Sequence, residues 1–452
     1  MLFFLVCQVI VSLKLNLAIL IKDRLDNKII YVLLDGIGDL PHPDLNELTP
    51  LESAITPTLD KIARNGISGQ VMSVGEGIAP QSDIAVFNML GYNFKDKDYV
   101  GRDVVECLGC NIDFKNGDLA LRGNFATIDS NKKIIDRRAG RIISKADSLE
   151  ICNLINKNIR ISDDLQITME PTIGHRVILR FRKKDKVLGE NITNTDPAYD
   201  KIDGIGIAKS SSTNDLYVAN SQYGDEDSKS SANIVNSFSD QTIQLLNDCS
   251  VNIRRVNQGL LPINCILLRD AGNRYPQVKP INEKYNLDFA SLVDMPVEIG
   301  ISKILGIKSY KAGEPDEYEL KSKTLLDNIK NHDFFYVHIK GPDEFGHDGD
   351  AKGKKKNIEE IDKYFFKHLE KGIDELKDMT VNFIISGDHS TPCSKKSHTD
   401  DPIPLLVSGK NIINDGTSRF TESCSKKGKI GKLLGYRVIE RSMQYISPAI
   451  DK

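Results

Sequence analysis

The chain has 452 residues, more than one hydrophobic core usually supports, so two domains are expected. Its 60 Lys and Arg against 63 Asp and Glu leave a formal net charge of −3, which gives no broad basic surface and excludes nucleic acid as the default partner. The 8 cysteines are scattered, and Cys107 and Cys110, at CxxC spacing, have no second pair to complete a zinc ribbon, so the thiols read as reduced in a cytoplasmic protein.

Residues 1–21 are apolar except for Gln8, Ser12, Lys14 and Asn16, and they lack the basic n-region and small-residue cleavage site of a signal peptide. A membrane anchor, an amphipathic lead-in helix and a stretch upstream of the true start all fit, membrane contact being the less favoured. Residues 1–27 are therefore read as an apolar extension outside the fold. Ile29-Ile30-Tyr31-Val32-Leu33-Leu34 is the first β-prone apolar run, and it delivers Asp35 into the turn-rich Gly36-Ile37-Gly38-Asp39. Thr49-Pro50 and Thr56-Pro57 each place Thr before Pro at a helix start, which is N-cap chemistry. After the loop from Gly75 to Gln81 the pattern from Ile84 to Leu90 is helical, so Ser82 stands at a helix N-terminus. There it serves either as a plain N-cap or in an anion site fed by unpaired backbone N–H groups.

From about residue 111 to 285 the character changes. Gln166 to Glu170 and Arg176 to Arg182 read as strands, and Ser221 to Ser228 is polar enough to read as a mobile loop. Two arginine-bearing loops, Asp136-Arg137-Arg138-Ala139-Gly140-Arg141 and Leu268-Arg269-Asp270-Ala271-Gly272, carry guanidinium groups suited to clamping phosphate or carboxylate, with a solvated basic turn as the bland alternative. No strand-end Asp or His candidate falls here. The segment 111–285 is accordingly read as a second domain inserted between 28–110 and 286–452.

Two more apolar runs follow. Phe334 to Ile339 delivers Asp343, with His347 four residues on, and Val381 to Ile385 runs into Gly387-Asp388-His389. His398 follows nine residues after His389, within reach of a short loop. In open α/β sheets ligands gather at the carboxyl ends of strands, and carboxylates with imidazoles are metal-ligand types. A lone strand-end Asp is more often a turn or cap residue. Three of them, with three of the chain's 8 histidines, are what a two-metal site needs.

Leu34-Asp35-Gly36-Ile37-Gly38-Asp39, Pro80-Gln81-Ser82-Asp83, the Asp136 to Arg141 stretch, Gly341-Pro342-Asp343-Glu344-Phe345-Gly346-His347 and Gly387-Asp388-His389-Ser390-Thr391-Pro392 resemble, in order and spacing, the archaeal-type 2,3-bisphosphoglycerate-independent phosphoglycerate mutases of the alkaline phosphatase superfamily. The resemblance runs from about residue 28 to the C-terminus. It implies an α/β, alkaline-phosphatase-like three-layer sandwich with an inserted second α+β domain. One metal would be held by Asp343, His347 and His398, and another by Asp35, Asp388, His389 and the oxygen of Ser82. Mn2+ is the metal the family suggests, with Mg2+, Zn2+ or Co2+ as alternatives, and no 2,3-bisphosphoglycerate is required.

By the same resemblance Ser82 would be the nucleophile, taking the phosphoryl group of 3-phosphoglycerate and returning it to the other hydroxyl of the bound glycerate, a step of glycolysis and gluconeogenesis. Arg137, Arg138 and Arg141, with Arg269, would grip this small phosphorylated substrate. Closure of the inserted domain would exclude the water that turns a mutase into a phosphatase. A homo-oligomer stays open. Ala79 and Gln81 stand where relatives tend to carry Arg and Gly, and the helix near Ile299 lacks an expected lysine, which keeps a different phosphorylated substrate open. A metal-dependent phosphatase or phosphonate-cleaving enzyme of the same superfamily is the alternative reading.

Overall fold

The computed structural model describes residues 27–93, 101–202, 205–209 and 213–446. Apart from Asn27, the apolar extension expected over residues 1–27 lies outside the described residues. Among the described residues no helix is long and apolar enough to cross a membrane. In chain order the strands are β1 (Asn27–Leu34), β2 (Gly66–Met72), β3 (Leu119–Ile128), β4 (Ile134–Asp136), β5 (Leu165–Pro171), β6 (Arg176–Lys183), β7 (Tyr199–Ile202), β8 (Ile205–Ala208), β9 (Cys265–Gly272), β10 (Phe289–Leu292), β11 (Lys308–Tyr310), β12 (Phe334–Ile339), β13 (Thr380–Gly387), β14 (Ile403–Ser408) and β15 (Gly431–Leu434). They divide between two compact units. The first takes the described residues up to 93, Lys279–Asp294 and those from Leu305 on; the second runs from residue 101 to Val278 and takes in Met295–Ile304.

The first unit is built on one eight-stranded sheet in the order β11-β10-β12-β1-β13-β14-β2-β15. The strands from β11 to β13 run parallel, whereas β14 runs against both its neighbours. Both faces of a central parallel strand are covered, which is why β1 and β12 are near-continuous apolar runs and are almost wholly buried. On one face Ile30, Val32, Phe335 and Val337 pack with Leu59, Leu325 and Ile358 from the helices Pro57–Arg64, Tyr318–Asn328 and Ala351–Ile361. Each such side chain contributes roughly 1.5–3 kcal/mol by leaving water. On the other face Tyr31 donates its hydroxyl to Met89 O at 3.1 Å, and the rings of Tyr285 and Phe289 lie 5.8 Å apart.

Helix capping departs in part from the sequence pattern. Thr49 forms a full capping box with Glu52, as the Thr-Pro pattern predicts. Thr56 makes no side-chain cap; Asp362, 306 positions further along the chain, accepts from Thr58 N and Leu59 N at 3.2 and 2.7 Å instead, and Thr56 turns to Asp60. A fully buried ammonium, Lys354, joins the loops after β1 and β13. It donates to Asp39 Oδ2 at 2.8 Å, Gly38 O at 3.2 Å and Thr391 O at 3.0 Å.

The second unit holds an antiparallel sheet in the order β4-β3-β6-β5, with β9 also paired to β3, and a separate ribbon of β7 and β8. Alternation along the strands sends Leu121, Phe125, Val177, Leu179 and Phe181 into a core with Ile151, Ile155, Val235 and Phe238 from the helices Lys145–Asn158 and Glu226–Asn247. The alternate positions put Arg122, Arg176, Arg180 and Arg182 on the opposite face. Residues 101–110 and Pro296–Ile304, read from sequence with the metal-binding segments, cluster in this unit, because Gly300 lets the helix Pro296–Ile304 approach the backbone of Val105 on the helix Arg102–Gly109 with no room for a Cβ. The stretch read as a mobile loop is helix at its end: Asp225 caps the helix Glu226–Asn247, accepting from Ser228 N at 2.8 Å.

Candidate metal centre

The candidate ligands of the first unit come from the carboxyl ends of three adjacent strands. Asp35 follows β1, Asp388 and His389 follow β13, and beyond β12 the helix Pro342–Asp348 carries Asp343 and, one turn on, His347. The loop after β13 returns through a Thr399 N to Ser390 O hydrogen bond of 3.0 Å, which brings His398 back. Gly36 makes the assembly possible: its φ of +60° suits glycine, and a Cβ there would stand 2.7 Å from both Asp343 Oδ1 and Thr391 Oγ1.

Two groups result, Asp343 with His389 and His398, and Asp35 with Asp388 and His389. His398 Nε2 lies 3.4 Å from Asp343 Oδ1 and 3.2 Å from His347 Nε2, and His347 Nε2 is 3.5 Å from Asp343 Oδ2. In the other group His389 Nε2 is 3.5 Å from Asp35 Oδ1 and 3.3 Å from Asp388 Oδ2. The outer nitrogens of two rings are spoken for: His347 Nδ1 donates to Lys396 O at 3.2 Å and His398 Nδ1 to Pro80 O at 2.7 Å, which leaves each Nε2 turned to Asp343. Asp35 Oδ1 and Asp388 Oδ2 are buried without a hydrogen-bond partner. Orphaned carboxylate oxygens beside imidazole nitrogens fit a divalent cation.

The electrostatics agree with that fit. Burial raises the pKa of Asp35 against the pull of Lys340, whose Nζ lies 2.8 Å from Oδ2, and Asp388 and Asp343 add to the rise. Burial opposes charge on Asp343 too, but the hydrogen bond from His398 and the fields of His389, His398 and His347 outweigh it and hold this carboxyl far below the usual range. His389 is pushed down to about 3 by burial and by His398.

Ser82 is not a helix cap. It is the first residue of the helix Ser82–Met89, Gln81 holds the cap position, and no side chain caps the turn. The Ser82 hydroxyl instead lies 3.1 Å from His389 Nε2. Sequence reasoning gave no role to Lys340 or Thr391. The signal was available for Lys340, the first polar residue after the apolar run of β12. Thr391 Oγ1 donates to Asp343 Oδ1 at 2.6 Å and lies 3.1 Å from His389 Nδ1.

The four arginines singled out in sequence lie in the second unit. Arg137 and Arg269 share one buried carboxylate, Asp196, at 2.5 and 3.4 Å, and both lie over the ring of Tyr199 at 5.6 and 4.5 Å. Arg269 lies within β9 and is buried, not in a loop as the neighbouring Gly272 suggested. Arg138 and Arg141 are exposed in the turn after β4. Two more were missed: Arg122, opposite Arg269 in the β3–β9 register, and Arg176, whose pKa is pushed down to about 10 by burial and by the charges of Arg102 and Arg122. Carboxylates already stand among these groups: Arg122 lies 3.4 Å from Glu106 and 3.1 Å from Asp270, and Arg269 lies 3.4 Å from Asp196. The CxxC thiols are free, and burial pushes Cys110 up to about 12 and Cys107 further. They stay protonated near neutrality.

A family model described as 2,3-bisphosphoglycerate-independent phosphoglycerate mutase matches residues 63–252. A protein of Aeropyrum pernix with that name is 35% identical over 431 residues, 93% of this chain and 100% of that protein. Among solved structures, a Pyrococcus horikoshii protein is similar with a TM-score of 0.75 at 27% identity, over 94% of this chain and 99% of that one. The cofactor-independent phosphoglycerate mutase of Thermoplasma acidophilum is similar with a TM-score of 0.62 at 28% identity, over 92% of this chain and 99% of that one. By the extent of these matches the chain belongs to the 2,3-bisphosphoglycerate-independent phosphoglycerate mutases, a family of isomerases.

Proposed function

We propose that the chain interconverts 3-phosphoglycerate and 2-phosphoglycerate through a phosphoserine at Ser82, in glycolysis and gluconeogenesis, without 2,3-bisphosphoglycerate. The observation that carries the reading is the Ser82 hydroxyl 3.1 Å from His389 Nε2, beside carboxylate oxygens of Asp35 and Asp388 that lack partners. Asp343, His347 and His398 would hold one divalent cation, and Asp35, Asp388, His389 and Ser82 a second, with Mn2+ the expected ion. Bound there, such cations supply Lewis acidity and neutralise charge on a transferring phosphoryl group.

The residues then divide the work. Ser82 Oγ forms a bond to phosphorus as the bond from phosphorus to the substrate's O3 breaks; the serine loses its proton and the departing oxygen gains one. The N-terminus of the helix Ser82–Met89 favours the negative charge that collects on this serine. In the second half the O2 hydroxyl of glycerate takes the phosphoryl group, and Ser82 is restored. Arg137, Arg138, Arg141 and Arg269 would bind the substrate's anionic groups.

The test is an enolase-coupled assay on metal-reconstituted protein without 2,3-bisphosphoglycerate, run beside a measurement of inorganic phosphate. Isomerisation well above phosphate release is the expected result. Phosphate release alone would make the chain a phosphatase.

A further inference from the structure

The ring of His389 touches both groups of ligands, with Nε2 at 3.5 and 3.3 Å from Asp35 and Asp388 and Nδ1 at 4.0 Å from Asp343. Which group it serves depends on where its single ring proton sits. Thr391 is fully buried and its hydroxyl has one proton to give. A carboxylate only accepts, so at 2.6 Å that proton goes to Asp343 Oδ1. The Thr391 oxygen is then left as an acceptor, and the partner 3.1 Å away is His389 Nδ1, which must carry an N–H to fill it. The main chain of Thr391 has no freedom to escape this geometry. Its N–H donates to Gly38 O at 3.0 Å, its carbonyl accepts from Lys354 Nζ at 3.0 Å, and the hydroxyl fills the space that a side chain at Gly36 would need.

We propose that Thr391 is a positioning residue that holds the proton of neutral His389 on Nδ1 and so commits the Nε2 lone pair to the side of Asp35, Asp388 and Ser82. One hydroxyl thereby serves both groups: it orients Asp343 in one and sets the tautomer of His389 in the other. On His347 and His398 main-chain carbonyls, Lys396 O and Pro80 O, hold the Nδ1 proton; on His389 a side chain does, and this one is open to substitution at Thr391. The consequence for metal binding rests on the proposed two-cation site, whereas the consequence for the tautomer does not.

The experiment uses the full-length chain with 15N-labelled histidine, and long-range 1H–15N spectra recorded without metal and with Zn2+. The expected result is an Nδ1-protonated His389 in the wild type and in Thr391→Ser, and loss of that preference in Thr391→Val. Mn2+ titration of the same proteins should then give one site about 10–100-fold weaker in Thr391→Val and unchanged in Thr391→Ser. An Nε2-protonated His389 in the metal-free wild type would overturn the proposal, and so would a folded Thr391→Val that keeps both the tautomer and the affinities. A wild-type chain that binds no metal would sink the proposed function, while its metal-free spectrum would still decide the role of Thr391.

Discussion

His398 donates its Nδ1 proton to the carbonyl of Pro80 at 2.7 Å, two residues before Ser82. A candidate metal ligand and the loop that delivers the proposed nucleophile are therefore one hydrogen-bonded piece. The acceptor is main chain, so the side chains of Ala79 and Gln81, which flank Pro80, do not enter this bond.

Ser82→Ala separates chemistry from folding. Ser82 makes no cap bond, so the usual cost of about 1 kcal/mol for losing an N-cap does not apply, and the melting temperature should stay within a degree or two. Turnover should fall by several orders of magnitude, because no hydroxyl in Ala79-Pro80-Gln81 can replace it. Acid quench of the wild type with labelled substrate should leave a phosphoryl group on the peptide containing Ser82. A variant that keeps roughly a tenth of the mutase activity would end the phosphoserine mechanism.

Asp388→Asn and His347→Ala should each lower bound metal, measured by elemental analysis after dialysis, and chelation should abolish activity that added Mn2+ restores. Asp388 is wholly buried and His347 is 43% exposed, so the loss of stability should be larger for Asp388→Asn in the metal-loaded protein. Full occupancy in both variants would remove the ligand assignment.

Arg138 and Arg141 are exposed, and replacing either by Ala should change stability by less than about 0.5 kcal/mol. If they bind a substrate phosphate or carboxylate, KM should rise about 10–100-fold, the loss of one charge-assisted hydrogen bond. Unchanged KM in the double variant would restrict substrate binding to other arginines.

Burial raises Glu422 from 4.5 to about 7, with Glu52 adding to the rise and Thr49 opposing it. Between those values the folded chain keeps a proton that the unfolded chain has lost, so this group makes stability fall as pH rises from about 4.5 to about 7 and adds no slope above. Urea midpoints at pH 5 and pH 8 should converge in Glu422→Gln by the equivalent of about 1–2 kcal/mol after solvent screening. An identical pH slope in both proteins would rule out an elevated pKa.

Much of the first unit was legible because its central strands are covered on both faces. Such strands are mostly apolar, so the acidic residues that follow β1 and β13, Asp35 and Asp388, announce themselves. Thr391 was hidden for the opposite reason: a hydroxyl acquires meaning only from the partners it reaches, Asp343 and His389, and neither spacing nor periodicity encodes them. Arg122 and Arg176 depended on the register of β3 with β6 and β9, a long-range pairing. The change at Thr56, where Asp362 supplies the cap, is the same kind of event: a distant side chain displaced a local rule.

The position of β1 at the centre of its sheet has a consequence for synthesis. Its neighbours β12 and β13 begin at Phe334 and Thr380, so the apolar run that ends at Leu34 waits about 300 residues for its first partner. At roughly 5–20 residues per second that is on the order of 15–60 s on the ribosome with an unpaired hydrophobic strand. The strands of the second unit, by contrast, find their partners within the span from β3 to β9, about half that distance along the chain.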